Sequence, residues 1–263
     1  MLLIYENKKS IQKTIQLNQK TPMDFIFIEG GTFDMGGESW NNDSSKPVHK
    51  VKLDDFWMAK YPTTQAQWKA IIQMANQKGI AHSLSDSPSR FVGNEDRPVE
   101  QVSWNDCQSF MQLSSEVLQD YHLRLPTEAQ WEYAARGGIF SKGDDVYSGG
   151  NEIDTLAWYR DNSFGQTMPV GLKMPNYLGL YDMTGNVWEW CEDKYDGNYY
   201  KLCEEQNIKS GKIVENPVNR KSSTTLFVFR GGAYFLFTDS CAVRYRAAMM
   251  QSLGATTLAF VVF

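Results

Sequence analysis

Cysteine is scarce in this sequence. The 263 residues include four cysteines, and no two of them form a CxxC pair. Their wide scatter argues against a zinc site and against a disulfide scaffold, because both need cysteines that are closely grouped or numerous. Cys191 and Cys203 are near enough in sequence to form one bridge, but the spacing leaves their pairing and the redox compartment open.

Histidine is scarcer still, with only three residues in the chain. His49, His82 and His122 lie far apart, and none adjoins a serine or a cysteine in a recognisable motif. This pattern disfavours a Ser/His/Asp or a Cys/His hydrolase site. No phosphate-binding loop or dinucleotide fingerprint is present either, so the common catalytic sites find no support in the sequence.

An excess of positive charge and long apolar runs are also lacking. The formal net charge is −5, which gives no electrostatic reason to expect nucleic acid as a partner. No apolar run approaches the roughly 20 residues that span a bilayer, so we expect no transmembrane segment. The short apolar start of the chain is interrupted by charge, and we recognise no targeting signal in it.

Aromatic residues, by contrast, are plentiful. Eight tryptophans, fourteen phenylalanines and thirteen tyrosines indicate an ordered globular protein. We find no internal repeat and no linker that would separate two domains. The prediction is therefore a polar N-terminal lead-in over residues 1–23, followed by a single domain over residues 24–263.

The most informative stretch is GLYDMTGNVWEW, residues 179–190. Gly185 and Asn186 tolerate positive φ and predict a tight turn. The residues after the turn alternate, which predicts a short strand with Trp188 and Trp190 on one face and Glu189 on the other. Because tryptophan buries a large apolar area, we expect this strand to lie at the centre of the structure.

Three helices are predicted from capping residues that precede apolar residues at helical spacing. The second and third caps are followed, three residues on, by a side chain that can complete a capping box. Glycines at 79 and at 137–138 end the first and third helices. The predicted N-terminal caps are Thr63 or Thr64, Ser103 and Thr127.

Several motifs, in order along nearly the whole chain, resemble the sulfatase-modifying-factor family, which contains the formylglycine-generating enzymes and non-catalytic relatives. The resemblance implies an α+β, C-type-lectin-like fold of the formylglycine-generating-enzyme type, with low regular secondary structure and long ordered loops. The motifs are FIEGGTFDMGG (27–37), PVHKVKLDDFWMAKYPTTQAQW (47–68), RPVEQVSWNDCQSF (97–110), LRLPTEAQWEYAARGG (123–138), GLYDMTGNVWEW (179–190) and FRGGAY (229–234).

One candidate metal site lies in the central stretch. Two carboxylates with two backbone carbonyls make a set of hard oxygen ligands, which calcium prefers. The resemblance also implies a structural calcium ion at the matching positions. The alternative interpretation is that Glu189 pairs with an arginine such as Arg124 or Arg230. The candidate ligands are Asp182, Gly185, Val187 and Glu189.

The resemblance also bears on catalysis. Formylglycine-generating oxidases bind copper(I) with two cysteines that follow an RGG motif, and soft thiolates suit that ion. In this chain Cys241 matches the second cysteine, whereas Leu236 occupies the position of the first. Because one thiolate cannot supply the pair, we expect no oxidase activity and no required cofactor.

The C-terminal segment, residues 230–263, places unusual residues between positions that match the family. The matching positions, which we call the frame residues, are Arg230, Gly231, Gly232, Asp239, Cys241, Tyr245 and Arg246. This pattern resembles the variable proteins of diversity-generating retroelements, in which the same fold displays a variable surface. We therefore predict a monomeric, non-catalytic ligand-binding protein whose ligand is a protein or a glycan. The predicted ligand-binding residues are Tyr234, Phe235, Leu236, Phe237, Val243, Met249 and Met250.

Three alternatives remain open at this point. The chain could be a divergent oxidase acting on a cysteine of a protein substrate, or a structural accessory domain. Residues 235–237 could also form a buried strand, with the methionines as core residues, because apolar side chains usually lie inside. As for location, the resemblance favours the cell surface, with the cytoplasm as the alternative.

Overall fold

The structure is a computed structural model that describes residues 11–37, 43–253 and 258–259. Short 3-10 helices lie at Asp43–Ser45, Gly138–Phe140 and Thr238–Cys241. The α-helices are α1 (Gln65–Gln77), α2 (Trp104–Leu118), α3 (Glu128–Ala135), α4 (Ile153–Leu156) and α5 (Tyr199–Ser210). The strands are β1 (Gln12–Asn18), β2 (Thr21–Ile28), β3 (Gly31–Met35), β4 (His49–Leu53), β5 (Phe56–Ala59), β6 (Trp188–Lys194), β7 (Val214–Glu215), β8 (Leu226–Arg230), β9 (Arg246–Met250) and β10 (Leu258–Ala259).

The strands form three small sheets. Their orders are β1-β2-β5, β3-β4-β7 and β10-β6-β8-β9. Long stretches without an α-helix or an extended strand, such as residues 78–103 and 157–187, connect the elements. Little regular structure, mixed helices and sheets, and long loops are what the α+β prediction describes, and the fold class is confirmed.

The first strand lies inside the segment predicted to be a polar lead-in. β1 pairs antiparallel with β2, and Ile15 and Leu17 are buried. The boundary predicted between residues 23 and 24 falls within β2, so this boundary is wrong. The alternation of Ile15 and Leu17 with polar residues is typical of an edge strand with one buried face. Only two apolar residues carry this pattern, and the lysines and glutamines around them are typical of a solvent-exposed segment.

The three predicted helix starts are confirmed. Each is a complete capping box, in which the cap hydroxyl accepts from a backbone N–H three residues on and that residue's side chain accepts from the cap N–H. The helices pack through their apolar faces; the rings of Trp68 on α1 and Phe110 on α2 stack with centroids 4.6 Å apart. None of the helices in the described ranges is long and apolar enough to cross a membrane. The caps are Thr64 with Gln67, Ser103 with Asp106, and Thr127 with Gln130.

Strand β6 lies in the middle of the structure, as predicted. It pairs with β8 on one edge and with β10 on the other. Trp188, Glu189 and Trp190 are all buried, so both faces of the strand are covered. The indole N–H of Trp190 donates to the Val102 carbonyl at 3.1 Å, which satisfies its one polar group.

Candidate functional site

Two buried arginines anchor the C-terminal segment. Arg230 and Arg246 face each other across the β8–β9 pair. The guanidinium of Arg246 donates to both carboxylate oxygens of Glu128, at 2.8 and 2.7 Å, and Arg230 donates to Glu132. We call these four side chains, all of them buried, the buried frame. Losing one partner of such a pair would leave an uncompensated charge inside the protein.

Glu132 also has partners outside the buried frame. It accepts from the Arg136 guanidinium, at 2.8 and 2.9 Å, and from the Gly36 N–H at 2.8 Å. Burial by itself would raise the pKa of Glu132, but the charges of Arg136 and Arg230 outweigh it and hold this pKa at about 2. The carboxylate therefore stays ionised at neutral pH, and the frame is held together by charge.

The chain leaves the frame through a turn that needs glycine. Gly231 and Gly232 have φ values of 97° and 79°, which side-chain-bearing residues rarely adopt. A Cβ atom on Gly232 would lie 2.6 Å from the Cys241 sulfur and 2.8 Å from the Cys241 Cα. This close packing lets the next residues, 233–237, fold back as a second turn. We call residues 231–237 the C-terminal turn.

The aromatic residues of the C-terminal turn reach the surface. Phe235 is 46% exposed and Phe237 is 59% exposed, whereas Leu236 is half-buried. Residues 235–237 form no strand, so the alternative of a buried strand there is wrong. The Tyr234 N–H donates to the Asn186 carbonyl at 2.9 Å and ties the turn to the loop that precedes β6.

Two of the predicted ligand-binding residues are instead buried. Tyr234 is 6% exposed and Val243 is 1% exposed. The Tyr234 ring packs between the rings of Phe91 and Phe235, each with its centroid 5.4 Å away. Their placement in an exposed patch is therefore wrong. An apolar residue between frame residues has two possible environments, and the sequence does not distinguish them.

Met249 and Met250 lie apart from the C-terminal turn. Met250 pairs with Leu226 at the far end of the β8–β9 ladder, four residues along the strand from the Arg230–Arg246 pair. At the usual rise per residue this distance is about 13 Å. Met250 is exposed and Met249 half-buried, but the structure does not bring them together with Phe235 and Phe237 into one patch.

The proposed calcium ligands are only partly available. One oxygen of Asp182 accepts from the Gly171 N–H at 2.7 Å and the other accepts from the Asn186 amide at 3.2 Å. Glu189 Oε2 accepts from the Trp131 indole N–H at 2.5 Å, while its Oε1 is buried with no hydrogen-bond partner in the described part of the chain. Among the described residues, no group of three or more His, Cys, Asp or Glu side chains is arranged to hold a metal. The donor set thus offers one free carboxylate oxygen.

Burial also raises the pKa of both acids, to about 8 for Glu189 and to about 6 for Asp182. Neither Arg124 nor Arg230 neutralises Glu189; they lie against Glu192 and the buried frame instead. The alternative salt bridge is therefore wrong. Calcium at Asp182, Gly185, Val187 and Glu189 stays a prediction, and a chelator-induced fall in melting temperature that calcium reverses would support it.

At the two positions that match the cysteines of the oxidases, this chain has Leu236 and Cys241. Cys241 is buried, and burial raises the pKa of its thiol to about 12. Leu236 is half-buried and apolar. The four cysteines are free and buried, so Cys191 and Cys203 are not bridged. The chain therefore supplies one thiol at the positions where the oxidases bind copper(I) with two.

Residues from other loops, which were not predicted from the sequence, border the C-terminal turn. The Arg160 N–H donates to the Leu236 carbonyl at 3.0 Å, and the Ser163 hydroxyl donates to the Tyr234 carbonyl at 2.8 Å. Phe164, beside Ser163, is 84% exposed and has a φ of 56°. Such a conformation is uncommon for a bulky residue. No periodic pattern marks these positions, because they belong to a loop about 70 residues away in sequence.

Comparison with known proteins shows that this sequence has relatives along nearly its whole length. A family model described as the sulfatase-modifying factor enzyme 1-like domain matches residues 11–259. The chain is 33% identical over 217 residues to the chaperone protein LppX of Paenibacillus barcinonensis, covering 64% of this chain and 70% of that protein. It is 28% identical over 282 residues to the formylglycine-generating enzyme of Streptomyces coelicolor, covering 86% of this chain and 83% of the enzyme.

The solved structures include a close match in shape. Treponema denticola variable protein 1 superposes with a TM-score of 0.78 at 27% sequence identity, covering 97% of this chain and 99% of that protein. The resemblance to the family and to its variable proteins is thereby confirmed. These relatives include an enzyme, a chaperone and a variable protein, so membership of the family alone does not select one function.

Proposed function

The chain belongs to the sulfatase-modifying factor enzyme 1-like domain family, and within it we propose that the protein is a non-catalytic ligand-binding protein. Its C-terminal segment, residues 230–263, forms the binding surface. The proposed ligand is a protein or a glycan, bound by a monomer at the cell surface. The structural likeness to a variable protein supports this proposal.

The observation that carries the proposal is the exposure of Phe235 and Phe237 on a turn whose backbone is held elsewhere. Arg230 and Arg246 are held in the buried frame, and Gly232 allows close packing against Cys241. Exposed aromatic rings on a rigid support are typical of binding surfaces, because they offer apolar area at little cost in conformational entropy. The side chains at the surface can then change while the support stays.

Two gene libraries would test this proposal. In the first, Phe235, Leu236 and Phe237 are randomised; in the matched library, the buried residues Phe229, Tyr234 and Val243 are randomised. Both are displayed on yeast, sorted for protease resistance and then selected for binding to hen lysozyme as an arbitrary probe. We expect the first library to stay mostly folded and to yield binders, and the matched library to lose protease resistance. Equal loss of folding in both libraries, or a folded first library without binders, would contradict the proposal.

The genetic part of the proposal has a separate test. If the segment is diversified by a retroelement, the neighbouring DNA should contain a reverse-transcriptase gene and an imperfect repeat of the segment's coding sequence. The repeat should differ from the coding sequence at adenines. Absence of both would remove the variable role and leave an invariant ligand-binding protein.

A divergent oxidase is the second candidate. It is favoured by Cys241, which keeps the position of one oxidase cysteine, and by the identity to a formylglycine-generating enzyme over most of its length. The test is incubation with copper(I), oxygen and a cysteine-containing peptide, followed by aldehyde detection with a hydrazide probe. We expect no aldehyde with the natural chain. Turnover by the natural chain that Cys241→Ser abolishes would favour the oxidase and overturn the non-catalytic proposal.

A further inference from the structure

Two arginines outside the buried frame lie over phenylalanine rings near the C-terminal turn. The Arg160 guanidinium carbon is 4.2 Å from the centre of the Phe237 ring, and that of Arg90 is 5.3 Å from the centre of the Phe91 ring. Both arginines are exposed. A guanidinium stacked on a ring keeps its N–H edge free, and this edge matches a carboxylate bidentately.

Neither arginine forms a salt bridge within the described residues. Their side chains take part in no ion pair or hydrogen bond there, unlike Arg220, which is paired with Glu192. Arg90 interacts through its charge with Glu100, a buried residue whose Oε1 accepts from the Phe91 N–H at 2.8 Å, but the two side chains form no salt bridge. Arg90 and Arg160 are thus exposed cations on a chain of net charge −5.

The two pairs are connected through the C-terminal turn. Phe91 contacts Tyr234, and Tyr234 contacts Phe235, through successive ring pairs with centroids 5.4 Å apart. On the other side, the Arg160 backbone is hydrogen-bonded to Leu236. The arginine–phenylalanine pairs therefore flank the exposed part of the turn and belong to the same surface.

Exposed apolar residues extend this surface. Phe164 projects from the loop that holds Tyr234, and Val92, also exposed, follows Phe91 in the chain. The loop of Arg160 carries Asp161, and Asp239 follows the C-terminal turn. The loop of Arg90 carries Asp86, Glu95, Asp96 and Glu100, of which Glu95 pairs with Lys69. Within the described residues, none of these carboxylates forms an ion pair with Arg90 or Arg160. Apolar area bordered by unpaired cations is complementary to a ligand that carries carboxylates next to apolar side chains.

We propose that the pairs Arg90–Phe91 and Arg160–Phe237 extend the binding surface of the natural chain and make it select an acidic segment of a protein partner. This inference rests on the proposed function. Carboxylates of the partner would bind the two guanidinium edges, and its apolar side chains would pack on Phe235 and Phe164. A nucleic acid is disfavoured, because two arginines do not overcome the repulsion from a net charge of −5.

Selection from a phage-displayed library of random short peptides tests this inference. We expect the natural chain to enrich peptides that combine Asp or Glu with Leu or Phe, and to bind them less tightly as salt is raised. Arg90→Gln with Arg160→Gln should lose the acidic preference and weaken the binding of enriched peptides by about tenfold or more. Arg220→Gln is the matched control, an exposed arginine away from the turn, and should change the affinity by less than about twofold.

The outcomes separate this inference from the proposed function. If Phe235→Ser with Phe237→Ser abolishes peptide binding while the double arginine variant keeps the acidic preference, the inference fails and the proposed function stands. If the Phe235/Phe237 variant binds as the natural chain does, the C-terminal turn is not the binding surface and both fail. Enrichment of basic or uncharged peptides, or no enrichment, overturns the inference. So does a sialylated oligosaccharide that binds through the same two arginines more tightly than the peptides.

Discussion

Arg230 and Arg246 at the base of the C-terminal turn are buried, whereas Phe235 and Phe237 at its outer end are exposed. This arrangement reverses the usual distribution, in which arginine lies at the surface and phenylalanine inside. The buried arginines are ion-paired with Glu128 and Glu132 and hold the backbone, whereas the rings of Phe235 and Phe237 lie outside the buried frame. In this segment the residues that hold the backbone are not the residues that form the surface. Substitutions in the two sets should therefore change the free energy of unfolding by different amounts.

The largest effect is expected from the base of the turn. Arg230→Gln removes a charge that faces Glu132 and lies near Glu128 inside the protein. Breaking a buried pair in this way should lower the free energy of unfolding by about 3–5 kcal/mol. Urea unfolding followed by tryptophan fluorescence measures the change, with Arg220→Gln as the exposed control. A loss below about 1 kcal/mol would show that the buried frame contributes no more than a surface ion pair.

Acid should weaken the same frame. The pKa of Glu132 is about 2 in the folded protein and 4.5 in the reference state. A depressed carboxylate pKa adds stability that is fully present above about pH 5 and is lost as the pH falls toward 2. Since one pKa unit corresponds to about 1.4 kcal/mol, the loss from this group is on the order of 3 kcal/mol.

Unfolding free energies measured from pH 6 down to the acid limit test this prediction. In Arg230→Gln the slope with pH should be shallower, because Glu132 keeps only Arg136 as a cationic partner. Equal slopes in the two proteins would mean that other carboxylates cause the acid sensitivity.

An intermediate effect is expected at the glycine that links base and surface. Gly232→Ala places a methyl group against Cys241 in a left-handed backbone conformation. The combined steric and conformational strain should lower the free energy of unfolding by about 2 kcal/mol. Gly211→Ala is the matched control, since Gly211 also has positive φ but its Cβ would meet no atom within 4 Å. If both variants lose the same stability, backbone conformation alone accounts for the effect and the contact with Cys241 does not.

The smallest effect on stability is expected at the surface. Phe235→Ser with Phe237→Ser should change the free energy of unfolding by less than about 1 kcal/mol, because both rings are already exposed. Differential scanning fluorimetry gives the shift in melting temperature, and Val243→Ser serves as the buried comparison. A shift in the surface variant as large as that of Val243→Ser would remove the distinction between support and surface.

The sequence by itself determined the features that depend on near neighbours or on the family. The caps at Thr64, Ser103 and Thr127 were predictable because each capping box is closed within four residues. The α+β fold class and the central place of Trp190 followed from motifs and from the size of tryptophan. The gap in the oxidase cysteine pair was visible as Leu236 in the sequence itself.

Only the tertiary structure decided which tail residues reach the surface and what surrounds them. Tyr234 is buried because Phe91, more than 140 positions earlier, packs against it, and Phe237 has a cation over its ring because the loop of Arg160 folds alongside. Met250 is separated from Phe237 by the direction of β9. Contacts between residues so far apart leave no periodic signal in the sequence, because each depends on how whole loops and strands pack. The sequence therefore determines the local elements and the family, whereas packing determines the binding surface.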